Sequence, residues 1–260
     1  MTAVDFAHFL GIADASRLAT LVVAATLGGL VRGFTGFGFA MVFVPLATVV
    51  VGPVAAVGLV WAIDAPFALP LATRVWRKAQ WSEVAPLLTG ATALLPVGVW
   101  LLTRLDPLVM RWIIALLILS AVAILASGWR YHGQPGTGLS LGVGALSGLA
   151  GGLASVGGIP LAIFWLSSHR SEPLLMRHNL ITYFALSTII SGAVLWWKDV
   201  VNGDVLRQAI VLVIPYGLGL LVGTRGFHRA SATTFRRGAY AVIAVSAALA
   251  LPALDPWLRS

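Results

Sequence analysis

Polar positions along this chain are few and bunched, and the apolar runs between them exceed what a soluble helix needs. Eight runs can be read, over 18–51, 54–73, 84–103, 108–129, 138–168, 178–197, 205–224 and 238–254. Most are about 20 residues, the length at which a helix crosses roughly 30 Å of hydrocarbon. Membrane-spanning strands would be ~10 residues long with strict alternation, and nothing here alternates that way. The pattern predicts an all-α polytopic membrane protein, a single transmembrane domain over 1–260 with short connections.

Two of the runs, 18–51 and 138–168, are too long for one crossing, since 34 helical residues would extend about 51 Å. Each contains a glycine cluster. The first, Gly28 to Phe39, reads Gly-Gly-Leu-Val-Arg-Gly-Phe-Thr-Gly-Phe-Gly-Phe and carries a lone arginine, Arg32; the second, Gly148 to Gly158, follows 119 residues later. Glycine inside a helix costs about 1 kcal/mol against alanine. An arginine in hydrocarbon costs roughly 2.5–3.5 kcal/mol. Costly elements in corresponding places of two halves mark a transporter's binding site. A shift of 119 places Gly29 on Gly148, Gly33 on Gly152 and Gly38 on Gly157, and further on Pro96 on Pro215 and Gly98 on Gly217. We therefore read two homologous repeats, 17–130 and 136–254.

If each long run is a glycine-broken helix or hairpin followed by three transmembrane helices, each repeat has five segments. An odd number inverts one repeat against the other and puts both termini outside the cytoplasm. Arg74, Arg77, Lys78, Arg130, Arg170, Arg177, Arg225, Arg229, Arg236 and Arg237 then share one side. Arg17, Arg104, Arg111, Lys198, Arg207 and Arg259 take the other. Eight plain crossings would divide the same charges evenly, so the positive-inside rule favours the inverted arrangement.

Composition narrows the class further. The chain is 59% hydrophobic and 10% charged, with mean hydropathy +0.94, against about 25% charge in a soluble domain. The net charge of +8 comes from span-end residues, where topology signals lie, so no nucleic-acid partner is expected. Absence of cysteine excludes disulfides, thiolate metal sites and cysteine redox chemistry. No basic residue precedes Arg17, so the N-terminus does not read as a cleaved signal peptide.

A broken helix opens its second half with unpaired N–H groups, which together with the helix dipole attract an anion. Such donors are expected near Gly36 to Ala40, with Phe37 and Gly38 between them, and near Ser155 to Ile159, including Gly157 and Gly158. Pro160 suits a first helical turn, where its missing N–H costs nothing. Thr35 and Ser155 add hydroxyl donors. Close helix packing through small residues is the alternative reading of the same glycines. Arg32 offers five donors and a permanent charge suited to an oxyanion, or it pairs with Asp64 or snorkels to an interface. Asp64, mid-span between Trp61 and Pro66, is either a proton-coupling carboxylate or the structural partner of Arg32. His178, Asn179, Thr182 and Tyr183 form a polar cluster in which Asn179 and Thr182 share a helix face. Tyr183 falls on Asp64 under the 119 shift. Asn179 and Thr182 are thus candidate substrate ligands, and His178 reads as an interfacial histidine. Trp129, Trp196 and Trp197 read as interface anchors.

With these motifs the chain resembles the sulfite exporter TauE/SafE family of bacterial membrane transporters. The resemblance rests on Arg32-Gly-Phe-Thr-Gly-Phe-Gly38, on Gly151-Gly-Leu-Ala-Ser-Val-Gly-Gly-Ile-Pro160, and on Ile214-Pro-Tyr-Gly-Leu-Gly219 followed by Gly223 and the basic run to Arg237. Phe39 and Ala40 depart from the family pattern, which often continues there with glycines. The resemblance implies a multi-pass protein of the bacterial inner membrane. It moves a small sulfur-containing anion, sulfite or an organosulfonate, without ATP and without a cofactor. The partners implied are that anion and the lipid bilayer, and homo-oligomer formation is left open.

Other classes fit less well. The two lysines, Lys78 and Lys198, follow no phosphate-binding loop, so a nucleotide-driven pump lacks its site. Gly36-Phe-Gly38 lacks the third glycine and the strand context of a dinucleotide fingerprint. An intramembrane enzyme built on Ser155, His178 and Asp64 lacks a nucleophile motif. A passive anion channel is the closer rival.

Overall fold

The computed structural model describes residues 14–73, 75–127, 136–167, 173–227 and 232–254, and they are helical with no strand among them. Helix α1 (Ala15–Thr35) starts where Asp14 accepts the Arg17 N–H at 2.8 Å. After a three-residue break α2 (Phe39–Ala72) follows, itself interrupted at Gly52 (φ 82°, ψ 163°), a conformation essentially reserved for glycine. Pro53 then opens the second part as a first-turn proline. A 3-10 turn (Trp76–Lys78) leads to α3 (Trp81–Arg104) and α4 (Pro107–Ser127). The second half comprises α5 (Thr137–Ala154), α6 (Gly158–Ser167), α7 (Pro173–Trp197), α8 (Gly203–Phe227) and α9 (Ala232–Leu249).

Seven of these helices are long and apolar enough to span a membrane, α2 counting once over Phe39–Pro70, while α9 offers only Tyr240–Leu249. The chain is a polytopic all-α membrane protein. Its outward surface agrees: Ile210, Ile214, Leu218 and Val222, four residues apart along α8, are all more than half exposed. Trp196 and Trp197 are exposed beside Lys198, whose ammonium lies 4.5 Å from the Trp197 ring centre. Trp129 lies outside the described residues.

Both overlong runs break at their glycines, at 36–38 and at 155–157, and both double back. A Cβ on Gly28 would lie 3.1 Å from the Phe39 carbonyl oxygen, and one on Gly157 would lie 2.4 Å from that of Ser147. The ten-residue α6 covers only about 15 Å, half a membrane. These hairpins are held by glycine contacts with helices distant in sequence. On α1, Cβ atoms at Gly29 and Gly33 would sit 2.3 Å from the Tyr216 and Leu220 carbonyls of α8, and Gly223 answers with 2.2 Å to Leu30. On α5, Gly148 would approach the Ala91 carbonyl of α3 to 2.2 Å, and Gly98 on α3 would approach that of Leu149 to 2.4 Å. Any side chain there would drive backbone from backbone.

The contact pairs do not keep one spacing. Leu30 and Leu149 play the same part 119 residues apart, yet their glycine partners, Gly223 and Gly98, differ by 125 (223 less 98). A Cβ on Gly217, which the shift of 119 places on Gly98, would instead lie 3.4 Å from the Phe67 ring. Arg111, read as a span-end charge, lies near the start of α4. It is buried, and its Nη2 donates to the Ala250 carbonyl at 3.0 Å, tying α4 to the end of α9.

Candidate functional site

The first break is built by two left-handed glycines. Gly36 (φ 81°) caps α1 with its N–H on the Arg32 carbonyl, and Gly38 (φ 97°) precedes α2. Thr35 is absorbed in the turn: its hydroxyl contacts the carbonyls of Val31, at 2.9 Å, and Phe37, and accepts the Phe37 N–H. At the second break Ser155 (φ 57°) takes the left-handed position of Gly36, and its N–H meets the Gly151 carbonyl at 2.8 Å. The Ser147 hydroxyl fastens that turn by donating to the Gly157 carbonyl at 2.5 Å and lies 3.0 Å from the Tyr183 hydroxyl.

The two tips meet. A Cβ on Gly158 would lie 3.8 Å from the Phe37 Cβ and 3.1 Å from the Phe184 ring. Around this junction lies a cavity of about 130 Å³, where one water needs roughly 10–15 Å³ on the same measure. The space suits a small polyatomic anion with some water. The first helical turns at Phe39, Ala40 and Gly158 line it, and their N–H groups have no acceptor in their own helices.

On the wall Arg32 faces Asp64, Nη2 to Oδ2 at 2.9 Å, with side chains 20% and 16% exposed. Tyr216 donates its hydroxyl to the other carboxylate oxygen, Oδ1. Tyr216 is fully buried, its ring 4.4 Å from that of Phe39 and 5.2 Å, edge-on, from that of Phe67. The opposite wall is hydroxyl-lined and uncharged, with Ser147, Tyr183, Ser187, Thr188 and Ser191. Trp61 crosses between the walls, donating to the Thr188 carbonyl at 2.8 Å, with its ring seated where Gly192 has no side chain.

Of the residues singled out from sequence, Arg32, Phe37, Gly38, Asp64, Ser155, Gly157 and Gly158 come together on this cavity. Thr35 and Gly36 shape the first turn without lining it. Asn179 and Thr182 lie elsewhere. Asn179 donates to Glu83 Oε2 at 2.9 Å and accepts the Gln80 N–H at 2.7 Å, anchoring α7 to the start of α3. Thr182 is fully buried off the cavity, its hydroxyl without a hydrogen-bond partner among the described residues. Sequence reading missed Tyr216 and Ser147 as members of the site. It noted Tyr183 but not the stripe it begins: Tyr183, Ser187 and Ser191 recur every four residues on one face of α7, a pattern visible in the sequence.

A family model described as sulfite exporter TauE/SafE matches residues 21–250. No curated protein matches the chain, and no solved structure does.

Proposed function

The chain belongs to the sulfite exporter TauE/SafE family, and from that premise we propose that it carries a small sulfur-containing oxyanion or organosulfonate across a bacterial inner membrane, by alternating access and without ATP. The observation that carries this reading is convergence. Two helix openings, one from each half of the chain, line a single cavity that also holds the arginine–aspartate pair. Helix openings supply N–H donors and partial positive charge to an anion. Arg32 supplies a planar fork matched to an oxyanion.

In this reading the substrate lies between the tips, against the N–H groups of Phe39, Ala40 and Gly158, with Arg32 on one side and the hydroxyls of Ser147 and Ser155 on the other. Asp64 is the proton-coupling group. Among the described residues it is the one carboxylate on the cavity wall, and it pairs with Arg32. The inverted-repeat reading is supported by the packing: α1 lies on α8 and α5 lies on α3, each the fourth segment of the other half when α2 is counted as two about Gly52.

Counterflow in liposomes tests the proposal. Vesicles preloaded with unlabelled sulfite, thiosulfate or methanesulfonate are expected to accumulate labelled anion transiently faster than empty vesicles. Anion flux with no trans-stimulation would identify a channel instead, and no flux of any of these anions would refute anion transport.

A further inference from the structure

The cavity has two chemically different walls. Among the described residues its formal charges are those of Arg32 and Asp64, from the first half of the chain. Across from them Ser147 of α5 and Tyr183, Ser187, Thr188 and Ser191 of α7 form an uncharged wall of hydroxyls. What such a wall can recognise depends on where its hydrogens already point.

A hydroxyl has one hydrogen to donate and two lone pairs that accept. Ser147 gives its hydrogen to the Gly157 carbonyl at 2.5 Å. In its 3.0 Å contact with the Tyr183 hydroxyl, Tyr183 is therefore the donor. Tyr183 is also hydrogen-bonded to the Ser187 side chain; its own hydrogen lies on Ser147, so there Ser187 donates. Thr188 donates to the Phe184 carbonyl at 2.7 Å, and Ser191 to the Thr188 carbonyl at 3.1 Å. Trp61 gives its indole N–H to that same carbonyl at 2.8 Å. All five hydroxyl hydrogens are thus engaged within the protein. The wall presents lone pairs, and it accepts.

From this polarity we propose that the substrate carries a hydrogen-bond donor of its own: a short-chain sulfonate bearing a hydroxyl, with its sulfonate at Arg32 and its hydroxyl on the α7 wall. This rests on the cavity being the anion site. A sulfonate oxygen set against α7 would meet only lone pairs, so the anionic end is directed to the guanidinium, which is all donor. The α7 wall holds no carboxylate to balance an ammonium, so an uncharged donor suits it. Phe37, Trp61 and Phe184 also line the cavity and offer apolar surface to the methylene groups between the two ends. A volume of about 130 Å³ holds about ten water-sized positions, more than an inorganic oxyanion fills.

The test is titration calorimetry on the full chain in detergent, with ligands matched in size. 2-Hydroxyethanesulfonate and 3-hydroxypropanesulfonate are compared with ethanesulfonate and propanesulfonate, which lack the hydroxyl. 2-Methoxyethanesulfonate keeps the oxygen but not its hydrogen. The better hydroxysulfonate should bind about tenfold more tightly than its plain counterpart, the worth of one hydrogen bond. The methoxy compound should gain nothing over ethanesulfonate. Ser147→Ala leaves the Tyr183 hydrogen free to donate, and should narrow the gap between the hydroxy and methoxy compounds. Equal binding of hydroxylated and plain sulfonates, or methoxy binding as tight as hydroxy, would overturn the proposal and leave the transport reading standing. So would binding of sulfite and thiosulfate with none of the organic sulfonates. Binding of no anion in the series would overturn both. The ligand series on the parent protein decides the matter even if the variant fails to fold.

Discussion

Replacing Arg32 tests the site most directly. The guanidinium lies on the cavity wall with its side chain one-fifth exposed and 2.9 Å from Asp64. A unit charge 4 Å from an anion is worth about 4 kcal/mol at the effective dielectric of a protein surface, or nearly three powers of ten in affinity. Water at the exposed fifth screens part of this, which leaves at least about a hundredfold loss for Arg32→Gln. A second penalty acts in the same direction, because the uncompensated Asp64 then repels the anion. Arg32→Lys keeps the charge but loses the planar fork, so weak binding is expected to persist. Stability must be separated from binding, since breaking a buried pair costs up to about 3–5 kcal/mol and less where both partners are partly exposed. Arg32→Gln combined with Asp64→Asn removes both charges; it should recover the melting temperature of the parent without recovering affinity. Calorimetric affinity for methanesulfonate and liposome uptake are the readouts. Arg32→Gln binding and transporting within threefold of the parent would refute a substrate role and leave the arginine a structural group.

Two further outcomes are expected. Gly148→Ala would place a methyl group 2.2 Å from the Ala91 carbonyl, whereas at Gly142 it would meet nothing within 4 Å; Gly148→Ala should therefore cost about 1–3 kcal/mol and melt earlier in detergent, and equal melting of the two variants would refute backbone contact between α5 and α3. Topology reporters fused at Met1 and Ser260 should both report the outside, and those in the loops at Arg77 and Arg229 the cytoplasm; a cytoplasmic C-terminus with an external Arg229 loop would refute the inverted arrangement.

What was legible in the sequence was whatever costs free energy inside a membrane. Glycines at 36 and 38 and an arginine four residues before the first of them are unfavourable in a plain span, so a break was expected within the glycine cluster, with its donors near Gly36 to Ala40. The Gly52 interruption was visible only as the gap between two runs, since a glycine–proline step fits a loop as well as a kink. The ion pair of Arg32 and Asp64 was one of two readings because proximity across 32 residues is not a local property. Tyr216 was illegible as a site residue for the same reason. A tyrosine in an apolar helix is ordinarily core, and its partner Asp64 lies 152 residues away. Asn179 and Thr182 do share a face, but periodicity says which residues are together and not what they face. Their helix begins against the loop ahead of α3, and Asn179 is bound there.

The contacts that fix the fold also constrain how it can move. Where α1 and α8 touch, the would-be Cβ atoms of Gly29, Gly33 and Gly223 fall within 2.3 Å of carbonyl oxygens, so backbone lies on backbone with no side-chain layer to shear. The same holds where α5 meets α3 at Gly148 and Gly98. Closely packed pairs of this kind have one arrangement rather than a continuum, so each pair moves as a unit. Each unit joins a hairpin from one half of the chain to a helix from the other, and the seam between the units therefore does not follow the seam between the halves. The cavity lies on that seam, crossed by the Phe37–Gly158 contact and by the Trp61 hydrogen bond to Thr188. In the alternating-access reading, a change of exposure works on that seam, where a Cβ on Gly158 would lie in ordinary contact distance, 3.8 Å, of the Phe37 Cβ rather than against backbone.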